Sequence, residues 1–237
     1  MKKMGNISKK LLFVLALLFF ATGCADIFDD FLVDDGDKPD LPHYINPQPY
    51  IDKLYTKEQQ DIANTAKDAA YLSDKEKYMI FLCNLARLDG QKYAELLDIR
   101  TSTYSYEVSL RETLDTVKNF PMLYPNERLC EAAAFHADDM IKKGIFQHAS
   151  SDGTNTFVRI QRYYKGYAMG ENIHRGPQNP SLIVRTLLVD NGVPSVGHRE
   201  NILSPKFSRI GVAIHFSTAS EYYCVQDFSD DAGDEKE

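Results

Sequence analysis

Near its carboxyl end the chain carries two short runs rich in β-branched and aromatic residues, Ile210 to Phe216 and Tyr222 to Phe228. They are separated by the polar stretch Ser217-Thr218-Ala219-Ser220-Glu221. Two such runs joined by a few polar residues predict a β-hairpin. The segments before them read as helices. Thr56-Lys57-Glu58-Gln59 is a capping-box pattern ahead of Ile62, Ala63, Ala66 and Ala70, and Ser73-Asp74-Lys75-Glu76 repeats it ahead of Tyr78, Phe81, Leu82, Leu85 and Ala86. A further helix is expected from near Pro125, with Leu129, Ala132, Ala133, His136 and Met140 along one side, ending at Gly144 after Lys142 and Lys143. Pro180 to Val189 reads as another. Helices early and strands late favour an α+β layered fold over a doubly wound sheet, and no internal repeat is visible.

The amino terminus carries a different message. Lys2, Lys3, Lys9 and Lys10 precede an unbroken apolar run from Leu11 to Phe20 that closes on Ala21-Thr22-Gly23-Cys24. A basic segment, about ten apolar residues and small residues at the cut predict a secretory signal over 1–23, too short to span a bilayer of ~30 Å. The cysteine after those small residues resembles the bacterial lipoprotein box. That resemblance implies acylation of Cys24 as the first mature residue and the membrane as a partner through a lipid anchor, stable only with more than one acyl chain. A plain cleaved signal followed by an incidental cysteine is the simpler alternative.

Residues 24–54 hold seven aspartates from Asp26 to Asp40 and the prolines Pro39, Pro42, Pro47 and Pro49, with no sustained period. They read as an extended acidic tether. An acidic run just after a lipidated cysteine resembles the surface-export signal of some bacterial groups, which implies the outer-membrane surface; an ordinary solvated spacer would look the same. Residues 55–74 are assigned a short helix, 75–229 the main domain and 230–237 an acidic tail, and about 185 residues beyond the tether suit one domain with a sizeable core. The chain has 27 Lys+Arg against 34 Asp+Glu, and setting the four leader lysines aside leaves 23 against 34, a net of −11. Such a protein repels phosphate backbones, so nucleic acid is not expected as a partner.

Three strings gather the titratable residues at segment ends: Phe146-Gln147-His148, Gly170-Glu171-Asn172-Ile173, and Gly197-His198-Arg199-Glu200-Asn201-Ile202-Leu203. Together with Asn84-Leu85-Ala86-Arg87, Phe135-His136-Ala137-Asp138-Asp139-Met140 and Ile210-Gly211-Val212 they stand in an order that resembles the CAP superfamily. That group contains the cysteine-rich secretory proteins, venom allergens, plant pathogenesis-related proteins and bacterial SCP-like extracellular domains. The match runs from Lys75 to Ser229. It implies a three-layer α-β-α sandwich with a surface cleft holding two histidines and usually two acids, where some members bind a divalent metal. Position by position it puts His148, Glu171 and His198 in that cleft. The second acid is where the chain departs: it has no tryptophan, and the nearest carboxylate on the helix before His198 is Asp190. A reshaped site follows from that departure.

Chemically, two imidazoles and a carboxylate suit zinc with an open position for water, although spacings of 23 and 27 residues are not those of a dedicated zinc motif. The same groups suit general acid–base work. Ser150, Ser151 and Ser195 lie near the motifs, but no G-x-S-x-G elbow surrounds them. Cys83, Cys130 and Cys224 fall in expected helices or a strand, where buried thiols are common, and export permits one disulfide among them. His136 reads as a core or capping histidine, His174 as an edge residue, His215 as a hydrogen-bonded sheet residue, and Arg199 and Asn201 as residues fixing the turn after His198. Tyr163, Tyr164 and Tyr167 are candidates to line the cleft. The function that fits best is a lipid-anchored extracytoplasmic binding module for a metal, small hydrophobic ligand, glycan or peptide of the envelope. A metal-assisted, protease-like hydrolase is the alternative.

Overall fold

The computed structural model describes residues 46–217 and 221–231. These all fall in one compact unit, Asp40–Glu237. The leader, Cys24, the aspartates up to Asp40 and the tail beyond Asp231 lie outside the described residues.

Where the tether was expected to run on, Gln48–Leu54 forms a helix (α1). Its Ile51 is fully buried, so the acidic spacer ends before residue 48. The Thr56 capping box opens α2 (Lys57–Ala63) and the Ser73 box opens α3 (Asp74–Leu88), each with both reciprocal bonds in place. Glu76 closes the second box by accepting from Ser73 N, and with its other oxygen it accepts from Ile214 N at 3.0 Å. The cap that starts the helix therefore also pins it to a strand.

Two helices without a clear sequence signal follow, α4 (Gly90–Leu96) and α5 (Ser105–Leu114). A two-residue strand β1 (Tyr124–Pro125) leads into α6 (Glu127–Lys143). Gly144 ends α6 at φ 63°, a left-handed cap that glycine adopts without steric penalty. Then come α7 (Thr156–Gln161), β2 (Met169–Gly176), α8 (Pro180–Val189), α9 (Gly197–Leu203), β3 (Arg209–Phe216) and β4 (Tyr222–Ser229). The turn expected after His198 is thus a two-turn helix. No helix among the described residues is long and apolar enough to cross a membrane.

The sheet order is β1-β3-β4-β2, with β1 parallel to β3 and the other pairs antiparallel. Successive side chains leave a strand on opposite faces, so register decides what each helix layer meets. Ile173, Ala213, Tyr223 and Val225 pack with Ala133, Ala137 and Met140 of α6. Gly211 lets α6 come closer still, since a Cβ there would lie 2.1 Å from the Leu129 carbonyl carbon. On the other face Val212, Cys224 and Phe228 join Leu82, Leu85, Ile183, Leu187 and Ile202 of α3, α8 and α9. The result is helix, sheet, helix: an α+β three-layer sandwich. Cys83, Cys130 and Cys224 are all free and buried, without the disulfide that export would permit. Burial pushes the Cys83 and Cys130 thiols up to about 12.

Polar side chains fasten the layers where backbone groups lack partners. Asn84, fully buried on α3, donates to Ala63 O and Leu123 O and accepts from Leu123 N. Arg87 donates to Pro121 O (2.7 Å), Ile202 O (2.6 Å), Ser204 O (2.9 Å) and Phe207 O (2.7 Å). Burial lowers its affinity for a proton to about 10, and the four carbonyls take the place of its hydration. Replacing it strands four acceptors. Arg87→Met is expected to lower stability by about 3–5 kcal/mol, measured from the urea unfolding midpoint, and a loss below about 1 kcal/mol would show that these carbonyls find water instead.

Candidate functional site

β2 positions the site because Glu171 and Asn172 follow one another and so leave the strand on opposite faces. Glu171 turns towards the α6 side. Its side chain is 1% exposed, yet both oxygens are engaged. Oε1 accepts from His148 Nδ1 at 2.8 Å, and Thr156 Oγ1 lies 3.3 Å from it. Oε2 accepts from Arg159, with His136 Nε2 lying 3.9 Å away. Burial acts to push this carboxyl up, but the His148 bond, Arg159 and His136 together hold it below the usual carboxylate range.

Arg159 organises the loop as well as the charge. Asn155 caps α7 by accepting from Val158 N, which aims the fully buried Arg159 inward. Arg159 also donates to His148 O (2.9 Å) and Ser150 Oγ (3.1 Å), and Thr156 Oγ1 donates to His148 O (3.0 Å). The loop carrying His148 is therefore anchored at its carbonyl while its imidazole, about half exposed, is aimed by Glu171. His136 sits behind them, its Nε2–H donating to Gln147 O at 2.9 Å, and burial lowers it from the ordinary imidazole range.

The second pair stands on the α9 side. Asp190 ends α8 in the left-handed conformation (φ 56°, ψ 39°), one that aspartate tolerates better than most residues. Val196, at the start of α9, offers no side-chain cap and is itself left-handed at φ 47°. Asp190 takes over, its Oδ2 accepting from His198 N (2.9 Å) and Arg199 N (3.3 Å) while Oδ1 accepts from His198 Nδ1 at 2.7 Å. Arg199 then ties α9 to α8 and α5 through Leu188 O, Val189 O and Tyr106 O. Asn201 donates to Glu171 O (3.1 Å) and Asn172 Oδ1 (2.9 Å), and Asn172 donates to His198 O (3.1 Å). Those amides clasp α9 to β2.

The four residues singled out in the sequence are thus assembled as two acid–histidine pairs, His148 with Glu171 and His198 with Asp190. In each pair the Nδ1–H is directed to a carboxylate, and Nε2 has no protein partner among the described residues. As arranged, Glu171 and Asp190 have their oxygens committed to protein donors, and among the described residues no three His, Cys, Asp or Glu side chains are grouped to hold one metal ion. Zinc stays an expectation of the resemblance.

Of the remaining candidates, Ser150 and Ser151 are held by Arg159 and Asp139, and His215 bonds Asp138 at 2.7 Å. Tyr163 packs on Phe135, Tyr164 donates to Asp230 O and Tyr167 is exposed. Surface cavities of about 380 and 460 Å³ lie elsewhere, over α3, and share Asp74 and Tyr78. Sequence reasoning missed Arg159, Thr156 and Asp227. A lone arginine between Val158 and Ile160, and a carboxylate in step with Tyr223 and Val225, were the available signals.

The family model described as "CAP: Cysteine-rich secretory protein family" matches residues 82–228, more than half of the chain. The chain belongs to the CAP family. A relative, the uncharacterized protein YkwD of Bacillus subtilis (strain 168), is 28% identical over 159 residues, covering 65% of this chain. The chain spans 60% of that relative's length. Among solved structures, an extracellular protein containing a SCP domain from Bacillus anthracis str. Ames is 21% identical at a TM-score of 0.43, covering 63% of this chain and 39% of its own. Venom allergen-like protein 4 of Schistosoma mansoni is 15% identical at a TM-score of 0.46, covering 67% and 90% respectively.

Within this CAP domain His174 offers a direct pH test. Its Nδ1 is buried without a hydrogen-bond partner, the ring lies under Gly176, and burial followed by the neighbouring His198 pushes it down from 6.5 to about 4. Below pH 6.5 the unfolded chain takes up a proton that the folded imidazole refuses. Stability should therefore fall between pH 6.5 and 4, this group contributing up to about 3 kcal/mol of the loss. In a proton NMR titration His174 should remain neutral down to about pH 5; a midpoint near 6.5 would contradict its burial.

Proposed function

We propose that this CAP-family chain is a lipid-anchored, extracytoplasmic binding module of the bacterial envelope, whose ligand is held by the imidazoles of His148 and His198. The observation that carries the reading is the matched fixing of the two rings. Each Nδ1–H is spent on a buried carboxylate, which leaves Nε2 as the ring atom able to accept a ligand's hydrogen bond. A ligand rich in hydroxyl or amide donors, a glycan or peptide, is the chemistry such acceptors recognise. Preorganised polar groups on rigid elements favour binding because little order is lost when the ligand arrives. The hydrolase reading draws no support from the site, where the nearby Ser150 and Ser151 hydroxyls serve Arg159 and Asp139.

The leader and the Cys24 box support export and lipid attachment, as sequence readings outside the described residues. Extracytoplasmic placement is also in keeping with the relatives: the Bacillus anthracis protein is described as extracellular. An outer surface protein of Borrelia burgdorferi is 22% identical at a TM-score of 0.42, covering 53% of this chain and 89% of its own.

Two measurements test the reading. Isothermal titration with soluble muropeptides, which present both hydroxyl and amide donors, should give saturable binding that falls at least about tenfold in His148→Ala and in His198→Ala, as expected for about 1.4 kcal/mol lost per aimed hydrogen bond. Equal affinity in parent and variants would remove the imidazoles from the binding site. Separately, Cys24→Ser should shift the protein from the membrane to the soluble fraction of its host, whereas unchanged membrane association would exclude a lipid anchor on that cysteine.

A further inference from the structure

Asp227 shares a face of the sheet with Glu171. It lies on β4, fully buried, and no protein N–H or O–H donates to either carboxyl oxygen. Its partner across the antiparallel ladder is Glu171. Residues directly opposite in such a ladder project to the same face with Cβ atoms about 4.5–5.5 Å apart, so the two carboxyls face each other. On the other side β3 presents Gly211, which has no side chain to answer them, and α6 lies against that glycine.

The charged and titratable groups around this pair are few. From β2 comes Glu171; from α7, Arg159; from α6, His136 and Cys130; and from the preceding loop, His148 acting on Glu171. Arg159 is the only permanent cation among them, and it bonds Glu171. One guanidinium neutralises one carboxylate. Two ionised carboxyls side by side in a dry layer would repel, and the one that no donor serves is the one that takes a proton, which it can then share with Glu171.

We propose that Asp227 is a positioning residue of the His148 site, held as the protonated acid so that Glu171 alone carries negative charge on this face of the sheet. Burial, first, and the charge of Glu171, second, push Asp227 well above the ordinary carboxylate range, while Arg159 pulls it back. Glu171 is thereby kept as a single anion directed at His148 and Arg159. If Asp227 ionised, a second anion would compete for Arg159 and draw the guanidinium away from the His148 loop. The inference concerns the site of the proposed binding function but requires no ligand, so either can fail while the other stands.

The test uses the full chain without ligand. In protein labelled with carboxyl-carbon-13 aspartate, the Asp227 resonance at pH 7 should have the chemical shift of a carboxylic acid and stay there while exposed aspartates read as carboxylates. Stability supplies the second readout. Because the folded chain keeps a proton that the unfolded chain has released above pH about 4, folding takes up a proton, and Asp227 makes stability decline with rising pH from there until the native group ionises. Asp227→Asn, neutral at every pH and nearly the same shape, removes that decline, so the variant should gain on the parent progressively between pH 5 and 8. A carboxylate shift for Asp227 at pH 7, or parallel stability curves for parent and Asp227→Asn, would overturn the proposal. Should the variant not fold, the labelled parent decides alone.

Discussion

Placing Glu171 almost wholly out of water carries a penalty of several kcal/mol for the ion, and Arg159 is the group that makes the placement tenable. Its guanidinium is also fully buried, so each charge is the main solvation of the other. Because Arg159 reaches back to His148 O and Ser150 Oγ as well, the ion pair does more than neutralise a strand residue. It closes the loop after α6 over the sheet. His148 stands where it does because its backbone is held by the cation and its ring by the anion.

The second histidine is fixed by different means. Among the described residues no Arg or Lys side chain bonds Asp190; its carboxylate is instead satisfied by the first N–H groups of α9 and by the His198 ring. Two left-handed residues, Asp190 and Val196, bend the connection so that this is possible. For a β-branched residue such a conformation is strained, and the capping bonds are what sustain it. The chain thus builds the same acid–histidine unit twice, once on a buried ion pair and once on a helix start. Asn172 and Asn201 couple the two across β2.

Much of this was legible in residue order. Both capping boxes, the Gly144 stop, the α8 helix and the closing hairpin lie where local pattern put them, because caps and turns are decided by neighbours in sequence. The helices α4, α5 and α9 were not legible. Gly90–Leu96 owes its place to the Asp89 cap and to the close fit of Gly90 against Leu114, and α9 owes its start to Asp190, seven residues before it in the chain. Helices whose place is set by contacts outside their own first turn leave little local signature. Gln48–Leu54 was hidden for a related reason: Pro47 and Pro49 read as spacer, yet proline suits a first helical turn when the next residues have a core to enter.

The same division holds at the site. By itself the sequence determined which polar residues were candidates, since His148, Glu171, Asp190 and His198 sit in short strings whose order marks the CAP family. It also determined the layered α+β class, through the succession of capped helices and a final hairpin. Only the tertiary structure decided the pairing of those residues, the service of Arg159 and the exposure of Glu171 to Asp227. Strand alternation and register set which face a side chain takes and what lies opposite it, and register is established between segments more than fifty residues apart, as Glu171 and Asp227 are.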